Sequence, residues 1–468
     1  MEANSVRVTN FNALRKTGCL GFLLCATAAA IAQDGMTLIK GKFATQRVPE
    51  EAVLKVVRNG EAVLHSSVKV GKDGSFGFYF QPEAAGLYTV GDRLTMARLY
   101  LTPGRTVQVT LDDGTFTVGE VDKENARLAE WSKTIWELKQ CNQMRGMHTY
   151  KTVFPKLPEL EQAVARTQAT DKTGNAHFDA LFAKLVPAEF EYELYHFLFM
   201  PRTVHPKPEE YPGIYQKVSD GPHFTDASVL DLDFGMSLVN AHLMFQFTAH
   251  KAEFEGVPDA MAEICLKNVQ NEAVKGWYLA KHILTRAKAY DDAYTAKLDK
   301  YRKHLATDEQ RKLVSDFVLT INKTAKGEPA MPFEGTTPEG KKVSLADFNG
   351  KVVMVDVWAT WCGPCKAQIP HLKKLEEAML GKEVVFLSYS IDESKDAEKW
   401  KKMIVDEKLG GVQLIGDAAF KSPICTSYKI TSIPRFMVFD KQGNIVSIDA
   451  PRPSSPELKP LLEEYLTR

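Results

Sequence analysis

From Val352 to the end of the 468-residue chain, strand-like and helix-like stretches alternate, and that order limits the fold more than any other feature. Val352–Trp358 reads as a strand, Pro364–Leu380 as a helix, Val384–Ser390 as a strand and Ser394–Lys408 as a helix. A further helix leads to strands over Phe436–Phe439 and Ile445–Ile448, joined by the turn Asp440-Lys441-Gln442-Gly443. A last helix runs near Pro456–Leu466. Strands alternating with helices and closing on a hairpin give a central mixed sheet covered by helices.

Where the first of these strands meets its helix stands Trp358-Ala359-Thr360-Trp361-Cys362-Gly363-Pro364-Cys365-Lys366. Cysteines at i and i+3 share a helix face, so their sulfurs can bridge. Cys362 falls at the helix N-terminus, where unpaired N–H groups and the macrodipole favour thiolate. It is the expected nucleophile, and Cys365, one turn inward, the expected resolving thiol. Structural zinc would need four ligands, and neither a second Cys-x-x-Cys nor a His pair accompanies His371. A merely structural bridge is the other reading of the spacing. No metal and no cofactor is expected.

Val352–Lys366 resembles thioredoxin, and residues 327–468 together resemble the TlpA/ResA-like thioredoxins of the bacterial envelope. Pro338-Glu339-Gly340-Lys341-Lys342-Val343-Ser344-Leu345, followed by Gly350-Lys351, is an opening common in that branch. The resemblance spans less than a third of the chain. It implies a thioredoxin-like fold and a redox-active Cys362–Cys365 disulfide, with substrate contacts from Trp361, Gly363, Pro364, Ile433 and Pro434. Ile433-Pro434 matches the cis-proline loop, where a cis peptide exposes the Ile433 backbone to a substrate strand. Asp356 occupies the buried-aspartate position, and a carboxylate with a raised pKa there takes the proton from Cys365. The chain departs from the pattern at Gln368, where relatives often carry Glu, and at Ser388, where thioredoxin has a lysine. Proton handling then falls to Asp356. Gly363-Pro364 matches the reducing thioredoxins. The resemblance implies a reductant of disulfides in other exported proteins, apocytochromes in cytochrome c biogenesis among them, recharged by a membrane thiol-reducing partner.

The remaining sequence suggests export and further domains. Arg7, Arg15 and Lys16 precede an apolar run from Cys19 to Ala32 that ends in Ala30-Ile31-Ala32, the pattern of a cleaved signal peptide over residues 1–32. Phe22-Leu23-Leu24 before Cys25 lacks the small residue of a lipoprotein signal. Periplasm or cell envelope is the expected location, with no stable membrane insertion after cleavage. Residues 36–119 read as a small β-sandwich. Phe76, Phe78 and Phe80 alternate, and turns recur at Asn59-Gly60, Asp73-Gly74, Pro103-Gly104 and Asp113-Gly114. Residues 121–326 read as helical, with Glu272–Tyr290 as one amphipathic helix, Pro201–Pro222 as an irregular connection, and the aromatic stretch Glu189–Met200 as a buried helix face. His242 and His250 could share a face there, without a ligand cluster around them. The fold class is thus multidomain, β and helical regions ahead of an α/β thioredoxin-like domain at 327–468, entered through a Gly/Pro-bearing linker over Gly327–Phe333.

Lys+Arg and Asp+Glu both count 59, which argues against nucleic acid, since phosphate contacts need a positive surface. Cleavage would leave Cys141, Cys265, Cys362, Cys365 and Cys425, too few for a disulfide-stapled scaffold. Cys425 is expected as a buried thiol. Two alternatives stand beside the reductant. One is a partner-binding envelope protein with an accessory redox domain; the other is a thiol peroxidase, which the nearby resolving Cys disfavours.

Overall fold

The computed structural model describes residues 35–119, 122–143, 149–201, 204–287, 290–416 and 418–468. The expected signal peptide lies outside the described residues. The chain divides into two compact units, Met1–Leu279 and Ala280–Arg468.

In the first unit, β1 (Thr37–Phe43), β2 (Glu51–Arg58), β3 (Glu61–Lys69), β4 (Ser75–Phe80), β5 (Gly86–Gly91), β6 (Met96–Leu101), β7 (Thr106–Asp112) and β8 (Thr115–Val118) make two four-stranded sheets. Their orders are β4-β1-β7-β8 and β3-β2-β5-β6. Period two decides the faces: β4 buries Phe76, Phe78 and Phe80 and exposes the residues between them. The Phe80 ring lies 5.7 Å from that of Tyr88 in the other sheet, as in a sandwich. Between β2 and β3, Asn59 and Gly60 both take positive φ, 52° and 78°, which explains the Asn-Gly pair at that hairpin.

The rest of this unit is helical, led by α1 (Lys123–Gln143), α2 (Ala176–Phe199) and α3 (Gly235–Ala249). The aromatic stretch lies on α2 and buries Phe190, Tyr195 and Phe197. Glu272–Tyr290 is not one helix. Regular α-helix stops at Tyr278, Leu279–Ile283 is a π-type turn and Leu284–Arg286 a 3-10 turn. The Thr285 hydroxyl donates to the Ala280 carbonyl at 2.9 Å, competing for a group the helix would use. Within Pro201–Pro222, expected to be irregular, Gly213–Ser219 forms a short helix.

The second unit is built on a seven-stranded sheet of order β10-β9-β13-β12-β11-β14-β15. Its strands are β9 (Glu334–Thr336), β10 (Lys342–Ser344), β11 (Val352–Trp358), β12 (Val384–Ser390), β13 (Val412–Ile415), β14 (Arg435–Phe439) and β15 (Ile445–Ser447). The helices that frame it are α4 (Gly363–Lys366), α5 (Ile369–Ala378), α6 (Ala397–Asp406) and α7 (Leu458–Thr467). Central β11 pairs parallel with β12 and antiparallel with β14, and all seven of its residues are buried. Val353, Val355 and Val357 join Leu387, Tyr389 and Trp400 of α6 in one cluster. Val352 and Met354 join Leu372 and Leu375 of α5 and Leu458 and Leu462 of α7 in another. Both faces are therefore covered, which is why β11 tolerates apolar residues at consecutive positions.

The helix expected over Pro364–Leu380 is two pieces. Pro370, at the second position of α5, has no N–H to give the Lys366 carbonyl, so the ladder breaks there. The expected linker is not loose. Gly327 N–H donates to Ile445 O at 2.7 Å, Ile445 N–H to Glu328 O at 2.8 Å, and Ala330 N–H to Gly443 O at 2.9 Å, so residues 327–330 run along the outer side of β15. Among the described residues no helix is long and apolar enough to cross a membrane.

Candidate active site

β11 ends at Trp358, and the chain turns at once into α4, with Cys362 as its N-cap. Cys362 and Cys365 are joined as a disulfide, their Cα atoms 5.3 Å apart. Cys362 Sγ also accepts a hydrogen bond from the Cys365 backbone N–H at 3.2 Å. A sulfur held against a helix N-terminal N–H is favoured as thiolate once the bridge opens. Both sulfurs are nearly covered, each residue 4% exposed, whereas Trp361 is 53% exposed. Gly363 and Pro364 are exposed, so the approach to the pair runs over the tip of this turn.

The other predicted residues arrive from β14 and β11. The Ile433–Pro434 bond is cis. Because Arg435 stands opposite Val357 in the antiparallel pairing of β14 with β11, Pro434 lies beside the strand end from which Cys362 emerges. Arg435 itself is buried and donates to the Ile448 carbonyl at 3.2 Å. Asp356 lies on β11, on the face it shares with Val352 and Met354 by alternation. Ser388 is its direct neighbour on β12, so no lysine meets it at that register position. Burial, and secondarily the negative charge of Glu376, push the Asp356 carboxyl up to about 7. Its Oδ1 finds no hydrogen-bond donor among the described residues. Gln368 is spent elsewhere: its Oε1 accepts from the Ser454 N–H at 3.1 Å.

Two acids went unnoticed in the sequence. Asp392, fully buried two residues past β12, accepts from the Thr360 N–H at 2.9 Å, the Thr360 hydroxyl at 2.8 Å and the Ser390 hydroxyl at 2.7 Å. It fixes the turn two residues ahead of Cys362. An acid at the carboxyl end of a strand parallel to β11 was the available signal. Glu376 lies with Leu372, Leu375 and Met379 at helical spacing, an acid on an apolar stripe. Gly410 leaves space for it, since a Cβ there would stand 2.6 Å from Glu376 Oε2. Burial pushes the Glu376 carboxyl up as well. Cys425 is a buried thiol in the same cluster as the disulfide, and burial raises its pKa.

Residues 326–448 match the AhpC/TSA family. Thiol-disulfide oxidoreductase ResA of Bacillus thuringiensis subsp. konkukian (strain 97-27) is 30% identical over 142 residues, 30% of this chain and 77% of that protein. Thioredoxin-like protein YneN of Bacillus subtilis (strain 168) is 28% identical over 138 residues, 30% of this chain and 79% of that one. A crystal structure of the thioredoxin domain of a thiol-disulfide oxidoreductase from Bacteroides vulgatus is 30% identical, with a TM-score of 0.28, and covers 30% of this chain and 98% of its own.

Proposed function

Since this chain belongs to the TlpA/ResA-like thioredoxin family, we propose that it reduces disulfides in other exported proteins through Cys362 and Cys365. The observation that carries the reading is the Cys362–Cys365 bridge at a helix N-terminus, with the cis Ile433–Pro434 bond beside the same strand end. In the reduced state the Cys362 thiolate attacks one sulfur of a substrate disulfide. A bond from Cys362 Sγ to that sulfur forms, the substrate bond breaks, and the other substrate sulfur leaves as thiolate. Cys365 then gives its proton to Asp356 and attacks Cys362 Sγ, releasing the second substrate thiolate and re-forming the bridge. Two electrons pass to the substrate. A membrane thiol-reducing partner returns the dithiol.

Trp361, Gly363 and Pro364 supply the exposed contact surface, and the Ile433 backbone pairs with an extended substrate segment. The signal-peptide pattern read over residues 1–32 favours a periplasmic or envelope site of action.

Cys365→Ser tests the scheme. Serine keeps the shape but cannot release the adduct, so mixed disulfides with exported proteins should accumulate on Cys362 until external thiol is added. Cys362→Ser should form none. Adducts on Cys365 in the Cys362 variant would reverse the roles. Absence of adducts in both variants, with the thiols reduced beforehand, would favour a binding protein. Peroxide consumption without insulin reduction would favour a thiol peroxidase.

A further inference from the structure

In the first unit, three side chains from three separate segments converge. Glu191 comes from α2, His242 from α3, and His223 from the segment that bridges to Val269. Their donor atoms all lie within 4.8 Å of one another. Glu191 Oε1 is 3.2 Å from His242 Nδ1 and 3.5 Å from His223 Nε2, and the two imidazole centroids are 4.1 Å apart. Tyr195, one turn along α2 from Glu191, brings its hydroxyl to 3.4 Å from the same His242 Nδ1. The His242 side chain is 2% exposed, Glu191 14% and His223 15%. The sequence had set His242 with His250 instead. His250 lies beside Glu253 at 3.2 Å, on an exposed stretch.

We propose that Glu191, His223 and His242 form a binding site for one divalent cation of the zinc class. Two imidazoles and one carboxylate are a donor set that zinc accepts, whereas calcium and magnesium prefer oxygen alone. The spacing also fits. Bonds of about 2.0–2.1 Å in a tetrahedron put neighbouring donors about 3.3 Å apart, close to the 3.2 and 3.5 Å found here. His223 has the outer contact that such ligands use. Its Nδ1 faces the Gly221 carbonyl at 3.0 Å, so a proton kept there leaves Nε2 as the ligand atom. Nε2 also lies 2.8 Å from the Val218 carbonyl, and an ion on Nε2 would take the place of that contact. The Tyr195 hydroxyl or a water completes the shell. The ion would tie α2 to α3 and to the 218–224 segment, a cross-link within the unit and independent of the redox reaction.

The test uses the full chain, stripped with chelator and held oxidised so that Cys362 and Cys365 cannot bind metal. Calorimetry and metal analysis with Zn2+ should give one ion per chain, and Zn2+ should raise the melting temperature. Co2+ should give the intense visible bands of a four-coordinate site without thiolate charge transfer. Glu191→Gln and His242→Gln should each weaken Zn2+ by more than about 10-fold, the least that loss of even an outer contact produces. Lack of saturable Zn2+ uptake by the wild-type chain would overturn the proposal and leave a plain hydrogen-bonded network. A thiolate signature in the Co2+ spectrum, or undiminished binding in folded variants, would overturn it too.

Discussion

Asp392 takes both hydrogens that Thr360 offers, the backbone N–H on Oδ2 at 2.9 Å and the hydroxyl on Oδ1 at 2.8 Å. A carboxylate on β12's extension thereby holds the turn that delivers Cys362. Asp392→Ala leaves those buried donors without an acceptor and should cost about 3 kcal/mol, with insulin reduction falling alongside. Asp392→Asn can still accept from the N–H and donate to the hydroxyl, so about 1 kcal/mol is expected. Urea unfolding of both variants checks this; equal stability of wild type and the alanine variant would refute the clamp.

Asp356 ties stability to pH in the opposite sense to an ordinary ion-paired acid. Folded, it keeps its proton up to about 7; unfolded, it loses it near 4, as aspartate does. Between those values the folded chain holds the extra proton, so stability falls as pH rises. The contribution is whole below about 4 and gone above about 7. Asp356→Asn has no proton to lose. It should be more stable than wild type at pH 8 by about 4 kcal/mol, with the gap closing toward pH 4. The same variant should slow release of mixed disulfides near neutral pH, where wild-type Asp356 can accept the Cys365 proton. Denaturant midpoints at the two pH values, with single-turnover kinetics, separate the two effects.

Much of the second unit was legible because its signals are local. Val352–Trp358 and Val384–Ser390 begin and end where read, since a central strand must be apolar throughout. The cysteine pair was legible for the same reason, its spacing being a single helical turn. β9, β10 and β13 were not, because three or four residues hold too little pattern. Asp392 and Glu376 escaped notice because their importance comes from what they face across the sheet. Likewise Glu191, His223 and His242 are separated along the chain and meet only after α2 and α3 pack. The change of helix type after Tyr278, where the Thr285 hydroxyl bonds the Ala280 carbonyl, is a detail that periodicity does not register.

Glu189 should prove the most sensitive acid of the first unit. Its carboxylate, 1% exposed, accepts from both terminal nitrogens of Arg98, from Lys139 and from the Trp131 indole at 2.8 Å. The Arg98 and Lys139 charges hold its carboxyl well below the usual range despite burial, so this stability is present at neutral pH and lost in acid. Glu189→Ala removes one of the two carboxylates on the Arg98 guanidinium, Asp233 remaining on its Nε and Nη2. It also leaves the buried Trp131 N–H without this acceptor, and should cost about 3 kcal/mol. Urea unfolding of wild type and variant followed by circular dichroism checks it; equal midpoints would refute the assignment.

A fragment covering residues 327–468 should fold alone and reduce insulin, because it retains both core clusters and the segment along β15. A fragment starting at Met331 loses the partners of Ile445 and should aggregate. Soluble monomer from both fragments, by light scattering, would show that the 327–330 segment is dispensable.

The 327–330 segment has a meaning for molecular recognition. One rim of the seven-stranded sheet is occupied by the chain itself, and the opposite rim, β10, is only three residues long and carries Lys342. Neither margin offers a foreign polypeptide room to lengthen the sheet. Under the proposed reading, a substrate segment that pairs with the Ile433 backbone would then meet few rival edges on this sheet, and closed borders would serve selectivity as much as stability.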